Sequence, residues 1–222
     1  MVILSVPKIM AQGVHQHLCA SVTRTPETVQ TREENAVAEF KSFAADVEVI
    51  GDVIEAFVAG FPSELSKIGS DLLAAKGIDR FRRGEYCPLQ SFLDAMKEIQ
   101  DKFSSEMLFR IGEKIAGNAV LPPGIDSLET CLASINTAYH MNHRRGEIGS
   151  YEYTYLGEGG GLKRAKMTCP NPYPCSFDRG VIQGFAQRFK PVGAIDVIVR
   201  HDESQPCRRT GATSCTYLIS WV

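Results

Sequence analysis

The chemistry open to this chain is concentrated in its cysteines. Seven occur, and four of them, Cys169, Cys175, Cys207 and Cys215, fall in the last 54 residues as two pairs spaced x5 and x7. Zinc takes four N, S or O donors in a tetrahedron and favours thiolates. The segment after Cys175 reads as a helix, whose positive N-terminus stabilises a thiolate. Cys207 and Cys215 stand at the ends of a short loop between two predicted strands. Cys175, Cys207 and Cys215 can converge if that helix packs on the sheet, with a fourth ligand from Cys169, His201, Asp202 or Glu203. The spacing is not a CxxC knuckle, so reduced, partly buried thiols without metal are the alternative. An odd count with no secretory leader argues against a disulfide framework. Cys131 lies on an apolar helical stripe and reads as a small buried hydrophobe.

Other constellations are weaker. His140 and His143, three apart beside Arg144 and Arg145, end a predicted helix, where cations complement the helix dipole. Asp178 and Arg179, beside Cys175, can pair with each other or poise a thiolate. Cys87-Pro88 and Cys169-Pro170 are Cys-Pro dipeptides of the kind some heme-responsive proteins use, too common a pairing to make heme more than a minor alternative. The run Gly157–Gly161 lacks the Lys-Ser/Thr of a phosphate loop and reads as a hairpin turn. No nucleophile elbow, zinc-protease motif, Walker loop or dinucleotide fingerprint occurs, so the chain is not read as an enzyme.

The elements that position these residues follow from periodicity. Ala36, Phe40, Phe43, Ala44 and Val47 have helical spacing, and 47–58 is either a strand then a helix or one interrupted element. Helices follow over 63–75, 88–103 and 105–115, and a fourth carries Leu128, Leu132, Ile135 and Tyr139 behind an Asp126/Glu129 capping box. After Gly149 the period becomes two. Tyr151, Tyr153 and Tyr155 alternate with polar residues, and 162–169 returns as the partner strand. Ser176 caps the last helix, and strands over 194–199 and 215–222 close the chain. Helices first, then β-β-α-β-β, define an α+β domain. Residues 1–32 show no sustained period and read as a flexible or arm-like segment before a single domain over 33–222.

The tail run Cys175-Ser-Phe-Asp-Arg-Gly180, then His201-Asp-Glu203 and Cys207-x7-Cys215-Thr-Tyr217, resembles the vinyl-reductase-type small-molecule-binding domain, which belongs with the TRAPP-subunit and heme-NO-binding-like folds. The resemblance covers about 33–222 and is strongest after Gly149. It implies a TRAPP-like α+β fold, a sensory or regulatory role, and a structural zinc. In the phenol-sensing members a cysteine before the last helix and a Glu-x-x-Cys-x7-Cys pattern bind the metal. Cys175, Cys207 and Cys215 match that pattern, while the glutamate position is Ser204 here, so Cys169, Glu203 and His201 remain the fourth-ligand candidates. The Tyr-x-Ser-x-Arg signature expected of heme members does not occur.

The implied partners are a small apolar or aromatic molecule and a second copy of the chain, docked through the helical pair spanning Phe92 to Ile115. A TRAPP-like adaptor without ligand and a tetrapyrrole-binding or thiol-dependent enzyme are the rival readings. Net charge is −2, which gives no argument for nucleic acid, and no run of 18 apolar residues marks a membrane span. A cytoplasmic protein is expected.

Overall fold

A computed structural model describes residues 38–222; the expected arm, 1–32, lies outside them. The helical spacing of 33–47 does not produce a helix over its described part. Phe40 has φ +63°. Its N–H donates to Pro172 O and the Ala38 N–H to Arg208 O, so this stretch is tied to the C-terminal part of the chain instead of to its own preceding turn.

Residues 47–58 resolve into strand β1 (Glu48–Ile50) and helix α1 (Gly51–Ala59). Helices α2 (Ser66–Ala75), α3 (Leu89–Phe103), α4 (Ser105–Asn118) and α5 (Leu128–Asn142) follow. A small antiparallel sheet joins β1 to β2 (Tyr86–Pro88) and β3 (His143–Arg144). The capping box of α5 sits one residue later than expected. Ser127 has the extended backbone that a cap requires, and its Oγ accepts from the Thr130 N–H at 3.1 Å while its own N–H donates to Thr130 Oγ1.

The second half is the expected β-β-α-β-β unit. Strands β4 (Glu152–Gly159), β5 (Leu162–Cys169), β6 (Val197–His201) and β7 (Cys215–Trp221) form an antiparallel sheet in the order β4-β5-β7-β6. Helix α6 (Cys175–Arg188) lies between β5 and β6 in sequence. The two-residue period turns Ala165, Met167, Cys169, Cys215, Tyr217, Ile219 and Trp221 inward, all buried, and leaves Leu218 and Arg200 on the other face. The last hairpin begins later than the apolar run suggests, because a turn over 191–194 leaves Val192 and Ile195 exposed.

Helix α6 packs on α4 at very short range. A Cβ on Gly180 would stand 2.1 Å from Phe109 O, and one on Gly184 2.5 Å from Glu113 O, so only glycine allows this approach. The apolar stripe of the α3–α4 pair, including Phe92, Met96, Ile99, Leu108 and Ile111, is fully buried within the chain. That part of the stripe serves the chain's own core, while Phe103, Met107 and Ile115 of the same pair are half-buried.

Candidate functional site

The fold brings three of the four tail cysteines together. Cys175 opens α6, Cys207 precedes a short 3₁₀ turn, and Cys215 opens β7. Their sulfurs lie 3.0 Å (Cys175–Cys215), 3.5 Å (Cys175–Cys207) and 3.7 Å (Cys207–Cys215) apart. His201, from the end of β6, completes a group whose ligand atoms all fall within 4.8 Å of one another. A tetrahedral zinc with ~2.3 Å bonds to sulfur separates its ligand atoms by roughly 3.5–3.8 Å; the two separations involving Cys207 match that spacing, while Cys175 and Cys215 stand closer than a bound ion would hold them. Hydrogen bonding from Cys175 draws the Cys215 thiol down, with Arg208 adding to the effect, while the shared bond and burial push Cys175 up.

Of the other fourth-ligand candidates, Cys169 stands opposite Cys215 in the β5–β7 register but is not one of the clustered ligand atoms. Complete burial raises its thiol well above the ordinary range, near Asp178. Glu203 is exposed and stands 3.2 Å from His201 Nδ1 without forming a hydrogen bond to it, and it is not one of the clustered ligand atoms. Ser176 is half-buried inside the first turn and does not cap α6. The carboxylate of Glu39 does so from a distant part of the chain, accepting from the Cys175 N–H at 2.7 Å.

A buried polar network lies directly behind the cluster. Asp178 pairs with Arg208, not Arg179: the Arg208 guanidinium donates to Asp178 Oδ2 at 2.6 Å, to Cys169 O at 2.9 Å and to Asn171 Oδ1 at 2.7 Å. Both charged side chains are wholly buried. Arg179 instead places its guanidinium 4.4 Å from the Phe109 ring centre. Burial raises Asp178 to about 6, offset by Arg208 and by the Tyr151 hydroxyl, which donates to Oδ1 at 2.5 Å.

Tyr151 leads to a second feature, a largely apolar cavity of about 90 Å³ among α4, α5 and α6. Ile115, Ile135, Val181 and Phe185 supply apolar wall, and Tyr139, Tyr151, Tyr173 and His143 the polar atoms near it. His143 is not a solvated helix-end cation. It is 6% exposed, and burial lowers it to about 4. Its Nδ1 meets Tyr139 O at 2.8 Å and its Nε2 the Tyr173 hydroxyl at 2.7 Å. His140 bonds back to Asn136 O, so the two histidines share no metal. A pocket between helices and sheet was expected, but its lining residues and the burial of Arg208 are what sequence reasoning missed. Of the alternating tyrosines only Tyr151 lines the cavity, and nothing local marks Arg208 as buried.

An α-helical half joined to a four-stranded antiparallel sheet, with the last helix on its inner face, defines the fold class. No protein-family model and no curated protein matches the chain. Solved structures do. One described by "Modulating Heme Redox Potential Through Protein-Induced Porphyrin Distortion" superposes with a TM-score of 0.51 at 10% identity, over 78% of this chain and 98% of its own. An oxygen-binding H-NOX domain related to soluble guanylate cyclases gives 0.51 at 9%, over 77% and 93%. A variant of the Tt H-NOX gives 0.52 at 11%, over 78% and 93%. This chain has the heme-NO-binding-like α+β fold.

The residues present do not fit a heme. A dry cavity of roughly 150 Å³ admits benzene, and one of about 90 Å³ has no room for a porphyrin. His143, the only imidazole in its wall, has both ring nitrogens engaged. No lysine or arginine lines the space to receive propionates.

Proposed function

We propose that this chain is a small-molecule-binding regulatory domain, one domain from about residue 33 onward, whose last helix is pinned to the last hairpin by a structural zinc. Cys175, Cys207, Cys215 and His201 hold the ion, and the apolar cavity between helices and sheet receives the ligand. The observation that carries the reading is the convergence of four ligand atoms, from α6, β6, β7 and the loop between the two strands, to within 4.8 Å. Three thiols forced together in a buried place are costly unless something binds them, and a four-ligand shell of this kind leaves no open position for substrate. The metal is therefore a clamp, and regulation falls to the cavity. No helix among the described residues is long and apolar enough to cross a membrane. The resemblance to vinyl-reductase-type domains and the heme-NO-binding-like fold both support a sensory role.

The test is elemental analysis of the untagged protein. About one zinc per chain is expected, lost in Cys207→Ser and Cys215→Ser with a fall in thermal midpoint, and retained in Cys169→Ser. His201→Ala should weaken zinc about 10- to 100-fold in a chelator competition. A metal-free protein with freely titrating tail thiols would overturn the clamp.

A further inference from the structure

The cysteine cluster has an approach from outside that a structural clamp does not use. A second cavity, of about 330 Å³, lies over the head of α6, and Cys175 is the one clustered thiol in its wall. Ser105, Glu203 and Arg209, all exposed, carry its rim to the surface. Ser176 Oγ and Arg179 Nε are buried in the same wall and have no hydrogen-bond partner among the described residues, an unfavourable state for such atoms. Both can donate to a small polar molecule beside Cys175 Sγ. Behind that sulfur, the wholly buried Cys215 Sγ lies at 3.0 Å and Cys207 Sγ at 3.5 Å. A disulfide bond is about 2.05 Å long, so Cys175 and Cys215 have to close by only ~1 Å.

Resting on the reading of the cluster as a zinc clamp, we infer that Cys175 is a site of oxidation by small hydroperoxides, with Cys215 as its resolving partner, and that this oxidation releases the ion. With zinc bound, both sulfurs are thiolates. Cys175 Sγ attacks one oxygen of the hydroperoxide, the O–O bond breaks, and the departing oxygen takes a proton from solvent to leave as water or an alcohol. Cys215 Sγ then attacks the sulfenic sulfur of Cys175. The S–O bond breaks, and the hydroxide takes a second proton and leaves as water. Two electrons pass from the two thiolates to the peroxide. Cys207 and His201 alone supply two of the four donors that zinc needs, so the ion is lost. The new disulfide keeps α6 tied to β7, while the loop carrying Cys207 loses the tether that the metal gave it.

The test adds hydrogen peroxide to the zinc-loaded, full-length protein, following zinc with a chromogenic chelator and the cysteines by peptide mass mapping. About one zinc per chain is expected to leave as a Cys175–Cys215 disulfide forms, and dithiothreitol with added zinc should restore the starting state. Ser176→Ala and Arg179→Leu should slow peroxide-driven release about tenfold. They should leave zinc loss to the chelator alone unchanged, a split that a merely loosened cluster would not show. Release as fast in both variants as in the unaltered chain would overturn the approach through this cavity. If zinc and free thiols persist under excess peroxide, or the disulfide joins Cys207 instead, the inference is overturned and the clamp stands. A protein purified without zinc overturns the clamp; the Cys175–Cys215 disulfide is then sought in the metal-free chain, where its absence sinks this inference as well.

Discussion

At the scale of single residues, His143 shows how burial turns a titratable group into a fixed part. Its imidazole accepts from one tyrosine and donates to the backbone of another, and its folded pKa of about 4 lies below the usual 6.5. The unfolded chain therefore binds a proton that the folded one refuses. Stability from this residue is complete above about pH 6.5 and is lost as pH falls toward 4, an effect of roughly 3 kcal/mol. Asp178 acts in the opposite sense, because burial raises its folded value from 3.8 to about 6 and folding there favours the proton. The two contributions largely cancel between pH 4 and 6, so the His143 effect has to be read on the ring itself. Nitrogen-15 NMR should show a neutral Nδ1–H tautomer persisting at pH 5. An imidazolium at that pH, with both nitrogens protonated, would show that the Tyr173 proton is free and the network is oriented differently.

At the scale of elements, the seam between α4 and α6 positions everything else, since α6 carries Cys175, Asp178 and much of the cavity wall. Gly180 and Gly184 let the two backbones touch. Gly180→Ala forces a methyl against Phe109 O, and the helices must separate; a loss of about 1–3 kcal/mol is expected in urea unfolding. The same change should weaken zinc retention, because α6 moves Cys175 away from Cys207 and Cys215. An unchanged urea midpoint would mean the seam is looser than described. This seam also marks where the sequence was legible and where it was not. The strands of the second half follow a clean two-residue period, and the spacing of Cys175, Cys207 and Cys215 lets helix-on-sheet packing bring them near one another. Residues 38–47 misled, because Phe40, Phe43 and Val47 fall at helical spacing while their neighbours' hydrogen bonds go to Pro172 and Arg208, far along the chain. The fourth cluster member was undecidable for a similar reason. Cys169, Glu203 and His201 are all near Cys207 or Cys215 in sequence or register, and the β6–β7 register that pairs His201 with Tyr217, two residues from Cys215, is what brings the imidazole in.

At the scale of the whole molecule, the fold shared with H-NOX structures and the contents of its interior part company. A fold sets where a pocket can form, and the side chains decide what enters. Here the space between the helical half and the sheet is filled by rings in mutual contact. Phe57 lies 5.0 Å from Phe92 and 6.1 Å from Phe177, Phe177 stacks on Tyr173 at 5.4 Å, and Tyr139 meets Tyr151 at 5.3 Å. Such rings are held by their buried area and edge-to-face geometry, and Tyr173 and Tyr139 are further tied to His143 and the backbone. Opening a porphyrin slot would require parting this aromatic cluster and leaving His143, Tyr173 and Asp178 without partners in a dry interior, each at about 1–3 kcal/mol or more. Hemin added to the purified protein should therefore give no stoichiometric ligated Soret band and no rise in thermal midpoint. A sharp band that saturates at one equivalent and disappears in His143→Ala would show that the cluster opens to admit the porphyrin.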